Sequence, residues 1–283
     1  MTIPAGTRIG AVRLRAADAD ALTGFYEQAI GLRTLARDNG LVRLGVDDGV
    51  PLVELVAAPG APRRPARSTG LFHLAILVPT RADLAAAIRR VRAAGWRLTG
   101  ASDHLVSEAL YLNDAEGNGI EIYRDRPREE WRRSASGELE MATLPLDLTD
   151  VLHETVALVD GPPPMPAGTR IGHVHLQVAQ LDTAERFYAG SLELEVTVRS
   201  YPGALFVAAG GYHHHIGLNT WQSAGAPAPP EGALGLEHYE LVVPDTEERD
   251  RLAAALGPDS EPLELEGGVR ATDPSGNRVL LRT

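Results

Sequence analysis

Histidines are the residues of this chain whose type and spacing suit metal or acid–base chemistry. Three of the nine stand in a row in the stretch "GGYHHHIGLNTW", as His213, His214 and His215. A neutral imidazole ligates metals and titrates near neutral pH, so the triplet suits a metal site, an acid–base site or a merely polar strand. The chain has no cysteine, so any metal must be held by histidine, carboxylate or neutral oxygen donors. The positions of the other histidines and carboxylates decide among these alternatives.

The composition excludes several classes of protein. The 283 residues carry a formal net charge of -11 and give a pI near 5.3, and 44% are hydrophobic. Such an acidic chain does not favour nucleic acid or an anionic membrane surface as a partner. The N-terminal segment has no apolar signal core, and no run approaches the ~18–20 apolar residues that span a bilayer. We therefore expect a cytoplasmic protein with neither of these partners, and possible self-association is left open.

The chain repeats itself, which locates the elements that position these residues. The heptapeptide "PAGTRIG" occurs at residues 4–10 and again at 166–172, and the dipeptide "FY" follows at the same offset in both copies. A weaker pair of copies begins with "GLFHLAILVP" at Gly70 and "GLEHYELVVP" at Gly235. These copies end in "DAEGNGIEIY" and "DPSGNRVLLR". The chain thus contains four related modules.

Each module opens with an alternating strand such as "HVHLQV", followed by an amphipathic helix and shorter apolar runs separated by Gly, Pro and Asp. This pattern predicts an α+β fold of four β-α-β-β-β modules with strongly curved mixed sheets. The predicted modules are residues 7–66, 67–126, 169–228 and 229–283, which form two domains, 7–126 and 169–283, joined by a connection at 127–168. Within the connection, "REEWRRS" and "LDLTDVLHE" predict short helices and "DGPPPMPAG" predicts a stiff linker.

Four such modules, with an "HVxLxVxxLxxAxxFY" opening and a "DxxGNxIEIY" close, resemble the vicinal oxygen chelate superfamily over nearly the whole chain. This superfamily contains extradiol dioxygenases, glyoxalase I, bleomycin-resistance and other drug-binding proteins. The resemblance implies that two modules face each other around a cup, with metal ligands on the first and last strands of a module. The fold by itself fixes neither the reaction nor the metal.

Comparison of the modules shows which of them carry chemistry. The third module has His173 where the first has Ala11, and the second ends with Glu121 where the fourth has Leu280. By the same alignment, Arg270 replaces the Tyr111 of the second module, so modules one and four lack most of the reactive groups. Modules two and three hold the candidates.

The resemblance narrows further to two-domain extradiol dioxygenases of the catechol 2,3-dioxygenase type, which hold iron with two histidines and one carboxylate. By this resemblance the metal ligands are His73, Glu121 and His173, and the catalytic groups are His215 as acid–base with Tyr111 and His104 on the substrate oxygens. The implied cofactor is Fe²⁺, with Mn²⁺ or another divalent metal as alternatives. Two imidazoles and one carboxylate leave positions open on the metal, as non-haem Fe(II) oxygenases require.

The order of the modules departs from the familiar pattern. Pairing modules three and four brings His173 to His238 and supplies no glutamate, whereas pairing one and two brings His73 to Glu121 with no second histidine. Pairing two and three supplies the complete set. His238 is therefore the rival ligand to His73.

Strand parity separates the members of the triplet. If the triplet lies on a strand, His213 and His215 share one face and His214 points the other way. His213 and His214 are expected to face solvent or to line a pocket. The predicted substrate-binding residues are His213, Asn219 and Trp221. Two other histidines have simpler explanations, because His175 fits an alternating strand residue and His153 fits a helix-surface residue. Glu54 is a candidate for a leftover ligand position.

The sequence thus predicts an Fe(II)-dependent extradiol dioxygenase that uses O₂ to cleave a small aromatic, catechol-type substrate. Two alternatives remain open. One is a glyoxalase-like metal-dependent isomerase or lyase, although such sites favour a second carboxylate. The other is a metal-free protein that sequesters an aromatic small molecule.

Overall fold

The computed structural model describes residues 2–154, 163–257, 260–263 and 267–283. The predicted α+β fold is confirmed, because each module has one strand, one helix and three further strands. The elements of the first two modules are β1 (Arg8–Ala16), α1 (Ala19–Phe25), β2 (Arg33–Asp38), β3 (Leu41–Gly45), β4 (Pro51–Ala57), β5 (Gly70–Leu77), α2 (Arg81–Ala93), β6 (Gly100–Asp103), β7 (Ser107–Asn113) and β8 (Gly119–Asp125).

The connection at 127–168 contains β9 (Leu144–Pro145) and α3 (Leu148–His153). The second half of the chain then repeats the order of the first, with the elements β10 (Arg170–Gln177), α4 (Leu181–Glu185), β11 (Glu195–Val198), β12 (Ala204–Ala208), β13 (Ile216–Asn219), β14 (Gly235–Val242), α5 (Thr246–Leu256), β15 (Ser260–Leu263), β16 (Gly268–Thr272) and β17 (Arg278–Arg282). The helices α1 and α4 continue into π-helical turns at Tyr26–Ile30 and Arg186–Ser191, which contain the repeated "FY" tyrosines.

The strands form two mixed sheets. One has eight strands in the order β15-β16-β17-β14-β1-β4-β3-β2, and the other has nine in the order β11-β12-β13-β10-β5-β8-β7-β6-β9. The first strand of a module pairs in parallel with its last strand, as β5 does with β8 and β10 with β13. The nine-stranded sheet therefore contains the strands of modules two and three.

Internal contacts divide the chain into two compact units, residues 15–60 with 73–171, and residues 1–14 with 61–72 and 172–283. In the former, α2 begins with a capping box between Thr80 and Asp83 and buries its apolar face. In the latter, α5 begins at the capping residue Asp245, whose carboxylate accepts from Glu248 N. The predicted domain boundaries remain a prediction.

A repeated aspartate turn closes the last hairpin of modules two and four. Asp273 accepts hydrogen bonds from the backbone N–H groups of Ser275 and Asn277 and from the hydroxyl of Tyr188 at 2.9 Å. Burial raises the pKa of the Asp273 carboxyl. Gly276 in this turn has φ of 85°, a conformation that L side chains disfavour.

The connection contains less helix than its sequence suggests. "LDLTDVLHE" forms α3, but "REEWRRS" forms only one 3₁₀ turn at Arg128–Glu130, because Trp131 is extended. The predicted stiff linker begins at residue 160, and its first three residues lie outside the described part of the chain. None of the helices in the described ranges is both long and apolar enough to cross a bilayer.

Candidate metal centre

His73 and Glu121 lie on adjacent parallel strands, β5 and β8, with Ala75 opposite Glu121 in the register. Their side chains are buried, 7% and 3% exposed, and His73 Nε2 lies 2.9 Å from Glu121 Oε2. Two ligands that each lie about 2.1 Å from a metal and about 90° apart are separated by about 3.0 Å. The pair therefore has the spacing of two neighbouring ligands of one ion.

His173 completes a three-residue group with this pair. It lies in β10, is 1% exposed, and offers a donor atom within 4.8 Å of a donor atom of both His73 and Glu121. Two imidazoles and one carboxylate, all buried, fit a divalent first-row metal and leave coordination positions for small molecules. His238 lies in β14 of the eight-stranded sheet and is not a member of the group.

Tyr111 lies beside the glutamate, and His104 contacts Tyr111. Tyr111 and Glu121 are direct cross-strand partners in β7 and β8, so their side chains share a face of the sheet. The Tyr111 ring centroid is 5.7 Å from that of His73, and Tyr111 Oη is 2.6 Å from His104 Nε2. His104 lies in the turn between β6 and β7, and its Nδ1 lies 2.7 Å from the carbonyl oxygen of Ala142.

The alignment of modules two and four is reproduced by the strand register. Arg270 and Leu280 are cross-strand partners in β16 and β17, as Tyr111 and Glu121 are in β7 and β8. The fourth module therefore has the same local geometry without the carboxylate or the phenol.

The triple histidine does not lie on a strand, and this corrects the parity argument. Gly210 and Gly211 have φ of 59° and 68° and turn the chain, and β13 begins only at Ile216. All three imidazoles are buried, so the solvent-facing alternative for His213 and His214 is wrong. The two glycines before the triplet are the sequence signal for this turn.

Within the triplet, His214 is the ring in closest contact with His173, at 4.1 Å between centroids. His213 lies 6.0 Å from His173, and His213 Nδ1 is 2.8 Å from His214 Nδ1. His215 Nδ1 accepts a hydrogen bond from the backbone N–H of Ala209 at 3.1 Å, so a neutral His215 carries its proton on Nε2. Sequence reasoning missed the contact of His214 with His173, because it depends on the turn.

The two predicted substrate-binding residues beyond the triplet lie at the end of β13. Asn219 is buried and accepts from the backbone N–H of Trp221 at 3.3 Å. Trp221 is 46% exposed and packs edge to face on Phe72 at 5.4 Å. Its ring is also 5.4 Å from that of His175, a buried β10 residue. His175 is therefore part of an aromatic cluster and belongs to its strand, as expected.

The remaining candidates lie elsewhere. Glu54 is buried in β4, where its carboxylate accepts from Arg43 at 3.0 Å, so an ion pair accounts for its burial. His153 is exposed at the last turn of α3. Neither is a member of the three-residue group.

A sequence model of the Glyoxalase/Bleomycin resistance protein/Dioxygenase superfamily matches residues 8–122 and 170–281. The chain belongs to this superfamily.

Among named relatives, the chain is 41% identical to catechol-2,3-dioxygenase of Bacillus subtilis (strain 168) over 272 residues, which cover 95% of this chain and 94% of the relative. It is 25% identical to biphenyl-2,3-diol 1,2-dioxygenase 3 of Rhodococcus globerulus over 185 residues, 64% of this chain and 82% of the relative. Glyoxalase I from Zea mays shares the fold, with a TM-score of 0.59 and 15% identity over 98% of this chain and 92% of that one. The homology supports an enzyme of the dioxygenase kind.

Proposed function

We propose that this protein is an Fe(II)-dependent extradiol dioxygenase that cleaves a catechol-type ring with O₂. The observation that carries the proposal is the buried group of His73, Glu121 and His173, whose donor atoms lie within 4.8 Å of one another. The 41% identity to a catechol-2,3-dioxygenase over 95% of the chain supports the same reaction. Mn²⁺ or another divalent metal in the same ligands is compatible with this donor set.

The charges of the three ligands determine which form of the substrate the site favours. When bound, a divalent iron supplies Lewis acidity for the substrate oxygens and one-electron chemistry with O₂. Glu121 contributes one negative charge, and the two neutral imidazoles contribute none. A doubly charged ion at this site therefore keeps a net positive charge, which favours an anionic catechol.

Other residues orient the substrate and move protons. In this proposal Tyr111 hydrogen-bonds a substrate oxygen, and His215 is the acid–base group. His104 acts through its hydrogen bond to Tyr111, because both of its ring nitrogens are engaged by Tyr111 and Ala142. The Ala209 N–H occupies Nδ1 of His215, which leaves Nε2 as the nitrogen that exchanges a proton with substrate. His213, Asn219 and Trp221 are the proposed substrate-binding residues.

The proposed partners are a small aromatic substrate and O₂, and the proposed site of action is the cytoplasm. Nucleic acid and membrane have no part in the proposed reaction. The possibility of a homo-oligomer stays a prediction.

The test is an anaerobic reconstitution with Fe²⁺ followed by exposure to catechol and air-saturated buffer. We expect one O₂ consumed for each catechol lost, with a ring-opened semialdehyde as the product. His238→Ala serves as the matched control, because His238 is a buried histidine outside the three-residue group, and it should keep activity. Activity of the Fe²⁺ protein on a hemithioacetal but not on catechol would favour the glyoxalase-like alternative. Tight catechol binding without metal or turnover would favour a sequestering protein.

A further inference from the structure

We infer that the carbonyl oxygen of Ala142, in the connection between the repeated halves, holds His104 in its Nδ1–H tautomer. Tyr111 then donates its proton to His104 and offers only lone pairs to a ligand. Ala142 is a positioning residue that acts through His104. The last step rests on the proposed function, because it assigns Tyr111 as the acceptor for a substrate hydroxyl.

The tautomer follows from the chemistry of the three groups. A carbonyl oxygen only accepts hydrogen bonds, so the 2.7 Å contact between His104 Nδ1 and Ala142 O requires a proton on Nδ1. A neutral imidazole carries one N–H, so Nε2 is an acceptor. The 2.6 Å contact between Nε2 and Tyr111 Oη is therefore an O–H donated by the phenol.

The backbone holds Ala142 where this contact forms. β9 pairs with β6, placing Leu144 opposite Asp103 and Pro145 opposite Ser102, on the strand that leads into His104. The Ala142 N–H also points to the His104 carbonyl oxygen, at 3.5 Å.

The turn that carries His104 is itself fixed. Leu105 has φ of 70°, in the left-handed region, and its N–H donates to the Asp103 carboxylate at 2.9 Å. Asp103 in turn accepts from Arg126 at 2.7 Å. These contacts hold the turn, and the contacts with Ala142 O and Tyr111 Oη hold the imidazole at its two nitrogens.

The position of the Tyr111 proton determines which ligand groups can hydrogen-bond to its oxygen. Tyr111 shares the sheet face of Glu121, so its oxygen faces the same side as the carboxylate. With its proton committed to His104, this oxygen accepts a hydrogen bond and cannot donate one. A ligand that retains an O–H at this position is favoured over one that carries an ether oxygen there.

The direct test is the histidine tautomer, read from long-range ¹H–¹⁵N correlations in protein loaded with diamagnetic Zn²⁺. The His104 signals are assigned by their loss in His104→Gln. We expect the Nδ1–H pattern for His104, retained in Tyr111→Phe because Ala142 sets it. Exposed His153 gives the reference for an imidazole with no fixed tautomer. An Nε2–H pattern in the wild type, or a switch to it in Tyr111→Phe, would overturn the inference.

A second test compares the binding affinities of catechol and of 2-methoxyphenol, which lacks the second O–H, by calorimetry on the Zn²⁺ protein. Tyr111→Phe should weaken catechol binding roughly three- to tenfold and change 2-methoxyphenol binding less than about twofold, since one net hydrogen bond is lost. Equal losses for the two ligands would contradict the acceptor role. Neither the tautomer measurement nor the calorimetry needs catalytic turnover. A protein with the expected tautomer and no dioxygenase activity refutes the proposed function alone, and an active enzyme with the other tautomer refutes this inference alone.

Discussion

The imidazole of His73 and the carboxylate of Glu121 meet at 2.9 Å in the protein interior. A buried carboxylate is costly unless a hydrogen bond, an ion pair or a metal ion compensates its charge. The spacing of this contact matches two ligands of one ion, and Tyr111 lies on the same face of the sheet as Glu121.

His215→Ala should keep the metal and lose turnover. Removing a positioned proton carrier costs roughly 10²–10⁴ in rate. Iron content and O₂ uptake are measured on protein prepared anaerobically, with His153→Ala as a control on the surface of α3. A His215→Ala protein that has lost its iron would make His215 a ligand and displace one of the three proposed here.

His214→Ala should weaken metal binding. Its ring packs 4.1 Å from that of His173, so its removal frees the orientation of that histidine. Residues that orient a ligand typically contribute 10–100-fold in affinity, and a packing contact places the expectation near tenfold. Competition with a metal chelator measures the change. An affinity equal to that of wild type would mean that the contact does not orient His173.

Tyr188→Phe should destabilise the protein more than Tyr26→Phe, its counterpart in the repeat. Tyr188 Oη donates to Asp273 at 2.9 Å, whereas Tyr26 Oη lies 3.4 Å from Asp114. A hydrogen bond to a charged group is worth about 1.5–3 kcal/mol and a long one less, so we expect about 2 and about 0.5 kcal/mol. Urea denaturation measures both. A reversed order would show that the repeated turns are not held by these hydroxyls.

Glu108→Gln should lower stability at neutral pH and lose that effect in acid. Burial alone raises the pKa of Glu108, but hydrogen bonds from Arg81 and Arg124 outweigh it, so the pKa lies below its ordinary value. A depressed carboxyl pKa stabilises the fold above the unfolded-state pKa of about 4.5, and this contribution is lost as pH falls. The expected difference in unfolding free energy is about 2 kcal/mol at pH 7, and it shrinks below about pH 4.5.

The control for Glu108 is Asp20→Asn, which removes the exposed ion pair of Asp20 with Arg37. Exposed pairs of this kind contribute about 0–1 kcal/mol. A Glu108 effect no larger than that of Asp20, or one that persists unchanged in acid, would show that the buried ion network is not stabilising.

Much of the fold could be predicted from the sequence because the modules repeat. The alignment that set Arg270 against Tyr111 and Leu280 against Glu121 matches the observed cross-strand pairs. Periodicity also located β10, because "HVHLQV" alternates over its whole length.

The arrangement around the site was less predictable, for two physical reasons. The triplet resembled a strand by composition, but Gly210 and Gly211 turn the chain there, and this changes which histidine contacts His173. The contact of Ala142 with His104 is made by a backbone oxygen, so no side-chain pattern reports it.

The measurement closest to the central claim is an anaerobic titration of divalent iron into the wild type, His173→Ala and His238→Ala. The wild type and His238→Ala should each bind about one ion per chain tightly, and His173→Ala should lose at least about tenfold in affinity, since one of three protein ligands is gone. Loss of the ion in His238→Ala, with full binding in His173→Ala, would contradict the proposed site.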